Sequence, residues 1–152
     1  MSTDLERLLD RQAIVDLIHT YCRNIDLGQA EAAFSPFTED CAADYGPSLG
    51  GAVRGREALQ KALGAAATGP IIATRHMVSN IEVVFETDDL ARGTTYLYAW
   101  HRFADGRADG HMYGQYHDVF VRTDDGWRIA ERRLEVAGES GFPLDWNPIS
   151  RA

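Results

Sequence analysis

The chain has 152 residues, 15 Lys and Arg against 23 Asp and Glu, and a formal net charge of −8, with a pI of about 5.0. That length predicts one domain over residues 1–152, large enough to bury a core without a disulfide or a metal. The acidic balance excludes nucleic acid as a main partner, since a phosphate-binding surface is basic. No apolar run approaches the roughly 18 residues needed to span a bilayer.

The N-terminus, Met1-Ser2-Thr3-Asp4, has no charged-then-apolar leader pattern, so a cytoplasmic location is expected. Thr3 and Glu6 form a capping-box signature. After it Leu5, Leu8, Leu9, Ile14, Leu17, Ile18, Tyr21 and Ile25 recur at helical spacing. The helix should stop at Gly28, a residue suited to a left-handed cap. A short second helix is expected over Gln29 to Phe34, and a short strand over Cys41 to Tyr45. A glycine-rich loop follows, then a third helix over Gly55 to Ala67.

After Gly69-Pro70 the period becomes strand-like. Four long strands are predicted, over Thr74 to Glu86, Arg92 to Phe103, His111 to Arg122 and Trp127 to Val136. Asp88-Asp89, Asp105-Gly106 and Asp124-Asp125-Gly126 separate them, so neighbours should pair antiparallel. Helices followed by a meander give an α+β domain, and a curved sheet wrapped by helices leaves room for an apolar pocket. Helices cover only one sheet face, and Tyr96 to Trp100 place large side chains on both, which predicts a homodimer or homotrimer assembled through the uncovered face. The tail, residues 138–152, is rich in aromatics and is expected to cover the pocket or a subunit interface. Arg128, Arg132 and Arg133, interleaved with Glu131 and Glu135, read as a solvated strand face.

The chemistry-bearing residues are few. Asp26 lies at the end of the first helix and His76 at the entry to a strand, both in apolar settings. A carboxylate beside an imidazole fixes the ring tautomer and stabilises its protonated form, leaving the other nitrogen as a base. His101 shares strand parity with Leu97, Ala99 and Phe103. It reads either as a site residue or as a core histidine bonded to backbone. Tyr21 and Tyr45 read either as hydroxyls serving a ligand or as core aromatics. A metal held by His76, His101 and His117 is a competing arrangement, although no ligand spacing supports it. Cys22 and Cys41 lack metal or redox spacing and should be reduced. A catalytic Cys22 has no partner pattern behind it.

Asn24-Ile25-Asp26, Thr74-Arg75-His76 and Asp125-Gly126-Trp127-Arg128-Ile129 resemble the SnoaL-like branch of the NTF2-like superfamily, over roughly Leu5 to Ala137. Within it, the Asp and His positions resemble those of the scytalone dehydratases, hexachlorocyclohexane dehydrochlorinases and bile-acid dehydratases. The resemblance implies an NTF2-like cone and a cofactor-independent lyase, without metal, acting on a small apolar or polycyclic ring compound. Asp26 and His76 would be its proton-abstracting dyad, with His101 a third catalytic group. Tyr21, Tyr45 and Gln115 would bind substrate. Ile25 departs from the pattern, since scytalone dehydratases carry a tyrosine there. The superfamily also holds isomerases, polyketide cyclases and non-catalytic binding or assembly modules, so the fold leaves these alternatives open.

Overall fold

The computed structural model describes residues 3–47, 51–67 and 71–142. Helix α1 spans Asp4–Asp26, α2 Ala30–Phe34 and α3 Arg56–Ala67. The strands are β1 (Phe37–Asp44), β2 (Ala52–Arg54), β3 (Ile71–Phe85), β4 (Leu90–Phe103), β5 (Gly110–Thr123) and β6 (Gly126–Ser140). They form one sheet in the order β2-β1-β6-β5-β4-β3. The β3-β4-β5-β6 meander is antiparallel, as the aspartate-rich turns require. Strand β1 runs parallel to β6, which makes the sheet mixed. Strand β1 starts at Phe37 rather than Cys41, and β2 had no signal in its three residues. Of the expected tail, residues 138–140 extend β6 and residues 143–152 lie outside the described residues.

The capping box at Thr3 forms as expected. Glu6 N–H donates to the Thr3 hydroxyl at 3.2 Å and Thr3 N–H donates to the Glu6 carboxylate at 2.7 Å. Gly28, at φ 68°, takes the left-handed turn that a side chain would oppose. Helix α1 lies along β3 with opposite direction: Arg7 bonds Asp88, Arg11 bonds the Ile81 carbonyl, and Asp26 reaches Thr74 and His76. The stripe that meets the sheet is therefore Arg7, Asp10, Arg11, Ile14, Ile18, Tyr21 and Cys22. Leu5, Leu8 and Leu9, counted in the apolar stripe by spacing, are instead exposed. At that end the guanidinium of Arg7, 4.2 Å over the Phe85 ring, does the packing, and the leucines point away.

Two bulges decide which side chains face the helices. In β3 the register shifts between Ser79 and Glu82, around Asn80, whose φ is 49°. Before the shift His76 and Val78 share the inner face. After it Ile81, Val83 and Phe85 pack on the core, because one extra residue flips the alternation. In β6 a shift opposite Val119 and Phe120 sends Trp127, Ile129, Arg132 and Val136 inward. Arg132 is therefore not on a solvated face. It is fully buried opposite Asp118, with Nε at 2.8 Å and Nη2 at 2.7 Å from the two carboxylate oxygens. A single uninterrupted alternation from Trp127 would have placed Glu131 inside in its stead.

Asp10 ties this layer together. It accepts from Trp127 Nε1 at 3.0 Å and from Arg122 Nη2 at 2.6 Å. The tryptophan after the last turn thus anchors α1 to the β5-β6 hairpin.

Candidate active site at the end of the first helix

The last turn of α1 delivers Asp26 to the inner face of β3. Its Oδ1 lies 2.7 Å from His76 Nδ1 and 2.8 Å from the Thr74 hydroxyl, and its Oδ2 takes the His76 backbone N–H at 2.8 Å. The side chains are 14% and 9% exposed for Asp26 and His76. Burial pushes the Asp26 carboxyl up, but the bonds from His76 and Thr74 outweigh it and hold the group below its ordinary value. An ionised carboxylate only accepts hydrogen bonds, so His76 Nδ1 carries the proton. In the neutral ring, Nε2 is then the nitrogen with the free lone pair.

His101 lies on the same inner face, next to His76, because Thr74 pairs with His101 and His76 with Ala99 across β3 and β4. The two imidazole centroids are 5.6 Å apart. His101 Nδ1 is buried and has no hydrogen-bond partner among the described residues. Burial lowers the His101 pKa to about 4, with the neighbouring His76 adding to the effect. It is a neutral ring at physiological pH.

Tyr21 and Tyr45 come together, but around Arg132. Tyr45 donates to the Tyr21 hydroxyl at 3.0 Å, and the Arg132 guanidinium lies 4.6 Å over Tyr21 and 4.0 Å over Tyr116. Burial raises both phenols above their ordinary value, so they stay protonated. Burial alone would lower Arg132, but Asp118 more than compensates and keeps it charged. Sequence reading missed this buried pair.

Gln115 is not near His76. It pairs with Tyr96 and Glu135 on the outer face and donates to Glu135 at 3.2 Å. Parity with the buried Met112, Tyr116, Asp118 and Phe120 already separates it from the inner face. His117 shares the outer face, 2.6 Å from Glu135, so His76, His101 and His117 do not converge. Among the described residues no three His, Cys, Asp or Glu side chains stand where they could hold a metal. Cys22 is buried, and burial pushes its thiol up to about 12, which leaves no thiolate at neutral pH.

Two described cavities open beside the outer face. One of about 510 Å³ is lined by Glu82, Arg92, His117 and Arg133 among others. The other, of about 670 Å³, is lined by Met77, Tyr96, Tyr98 and Tyr113 among others. Neither includes Asp26 or His76.

Residues 6–133 match the model of the SnoaL-like domain. The chain belongs to the SnoaL-like domain family. Among solved structures, it is similar to a candidate scytalone dehydratase from Novosphingobium aromaticivorans, with 30% identity, 99% of each chain covered and a TM-score of 0.89. It is also similar to a type 3 hexachlorocyclohexane dehydrochlorinase from Novosphingobium barchaimii, at 19% identity and a TM-score of 0.82. That match covers 97% of this chain and 100% of the other. No curated protein matches. This SnoaL-like domain has the NTF2-like cone, with helices on one face of a curved mixed sheet, and no described helix is long and apolar enough to cross a membrane.

Proposed function

We propose that the chain is a cofactor-independent lyase that eliminates water or halide from a small apolar ring compound. The observation that carries this reading is the 2.7 Å contact of His76 Nδ1 with a carboxylate held by two further donors. His76 Nε2 takes a proton from a ring carbon. The C–H electron pair becomes the new C=C bond, and the bond to the leaving group on the neighbouring carbon breaks. Halide leaves as the anion and the imidazolium then gives its proton to solvent, whereas a hydroxyl takes that proton from the imidazolium and leaves as water. Asp26 stabilises the imidazolium in between, and its bonds keep it ionised.

Neutral His101 offers one donor and one acceptor, which suits an uncharged carbonyl or hydroxyl oxygen rather than a carboxylate. A hydrogen bond there would stabilise developing enolate charge. Isomerisation begins with the same proton abstraction, and product analysis separates it from elimination. The similarity to the candidate scytalone dehydratase and to the dehydrochlorinase supports the elimination.

Tyr21 and Tyr45 enter this reading as parts of the wall around Arg132, and Gln115 is left out. A cytoplasmic homodimer or homotrimer fits the outer face, where Met77, Tyr96 and Tyr113 are each more than half exposed. The test is turnover of hydroxylated and halogenated ring compounds by the natural chain and by His76→Gln. The reading fails if the glutamine variant keeps near-native turnover.

A further inference from the structure

Gly110 is the residue directly opposite His101 across β4 and β5. The inner face therefore lacks a side chain beside the imidazole. The space is filled from elsewhere in the chain. Gly141, at φ 74°, turns the chain after β6, and the next residue, Phe142, lays its ring there. The centroid of Phe142 is 4.9 Å from that of His101, edge to face, and 6.1 Å from that of Phe103. A Cβ built on Gly110 would stand 3.0 Å from the Phe142 ring, so glycine is what lets the ring approach. An aromatic side chain laid across a strand glycine is a known device for covering bare backbone. Here it also covers an imidazole whose Nδ1 is buried and unpartnered.

We propose that Phe142 is a positioning residue of the candidate site: seated in the space left by Gly110, its ring shields His101 from water and holds the imidazole in its neutral, hydrogen-bonding form. The inference rests on the site proposed above and deepens it. It explains how a histidine beside Asp26 escapes protonation. Among the described residues, the ionisable groups that act on His101 are His76 and Asp26, which oppose each other: the first disfavours a charge on His101 and the second favours it. Asp109, on the neighbouring turn, is engaged by Trp100 and Arg102. Dehydration is the largest influence on the ring, and Phe142 is the side chain seated in the space beside it.

The experiment is a pH titration of the histidine ring resonances by NMR, with no substrate present and His101 assigned through His101→Gln. In the natural chain His101 should resist protonation down to about 4. In Phe142→Ala water reaches the ring, and its titration should move toward 6.5, the ordinary histidine value, by about one unit or more. Phe142→Leu, which keeps apolar bulk, should stay near the natural chain. Gly110→Ala, which displaces the ring without removing it, should move the same way as Phe142→Ala. The proposal is overturned if both variants titrate at His101 as the natural chain does. It is equally overturned if His76 and His101 shift together with loss of the folded signal, since Phe142 would then be ordinary core packing. Because no substrate enters, this outcome is independent of whether His76→Gln abolishes turnover.

Discussion

Two imidazole–carboxylate pairs of nearly equal length sit on opposite faces of the same sheet. On the inner face Asp26 and His76 are 2.7 Å apart, and on the outer face His117 and Glu135 are 2.6 Å apart. Their surroundings differ. The inner carboxylate comes from a helix end 50 residues away, is bonded by Thr74 and by a backbone N–H, and is largely out of water. The outer pair joins neighbouring strands, is about 30% exposed on each side, and shares Glu135 with Gln115 and Arg133. A short contact alone does not mark a site. What distinguishes the inner pair is the loss of water and the number of independent groups that fix its geometry.

Removing each imidazole in turn should separate the two faces most strongly. His76→Gln should lower turnover by at least ~10²–10⁴-fold, the contribution of a positioned base, while the chain stays folded. Asp26→Asn should be comparably severe, because the amide cannot stabilise the charged ring and permits the wrong tautomer. His117→Gln should leave turnover within about twofold, well under the contribution of any positioned base. Steady-state assays of the variants on one converted ring compound decide it. Equal losses in His76→Gln and His117→Gln would show that the two faces do not differ as argued.

The two faces should differ in stability as well. Asp118→Ala leaves Arg132 charged in a fully buried place. That should cost about 3–5 kcal/mol, read as a large fall in the denaturant midpoint. Arg133→Ala removes the 3.5 Å pair with Glu135 on the outer face and should cost less than about 1 kcal/mol. If Asp118→Ala is mild, Arg132 is not held as the geometry implies.

Why Arg132 escaped sequence reading while His101 did not is a matter of register. His101, Leu97, Ala99 and Phe103 lie in an uninterrupted stretch of β4, so period-two alternation places all four on one face. The long strands, the turns between them and the helix stop near Gly28 were legible for the same reason: each rests on local pattern or on one residue's backbone preference. Between Trp127 and Arg132 a bulge intervenes, and a one-residue shift reverses every assignment beyond it. Nothing in Ala130 or Glu131 announces that shift. Gln115 is the converse case. Its parity with Tyr113 and His117 was readable and pointed outward, and only the family resemblance drew it toward the site. Leu5, Leu8 and Leu9 fit helical spacing, but spacing does not say where the sheet ends beneath the helix.

Acid should weaken the inner face more than the outer. His101 has a folded pKa of about 4 against an ordinary 6.5, so between those values the unfolded chain takes up a proton that the folded chain refuses. Stability from this group is complete above pH 6.5 and is lost as pH falls toward 4, by about 3 kcal/mol in full. Asp26, with its pKa below 3.8, adds a contribution present above that value and lost below it. Urea midpoints measured from pH 7.5 to 4.5 should fall steadily in the natural chain. The slope should flatten in His101→Gln. An unchanged slope would mean that His101 is hydrated in the folded state.

The smallest effect on the folded chain is expected on the outer face, where its main consequence is assembly. Met77, Tyr96 and Tyr113 are 54%, 51% and 55% exposed around the 670 Å³ recess. Exposed aromatic and thioether side chains gathered on one sheet face are what an interface covers. The neighbouring cavity places Glu82 and Glu131 beside Arg92 and Arg133. Both signs on one patch suit an isologous contact, in which each acid of one copy can meet a base of the other. Tyr96→Lys with Tyr113→Lys should therefore change the stability of the isolated chain by no more than about 0.5 kcal/mol, since exposed positions rarely cost more. The same change should move sedimentation from a dimer or trimer to a 16.9 kDa monomer, with the His76 chemistry retained in the monomer. A natural chain that already sediments as a monomer at micromolar concentration would remove the assembly and leave the inner face as argued. Loss of turnover on dissociation would instead mean that a second copy completes the site, and the separation of the two faces would fail.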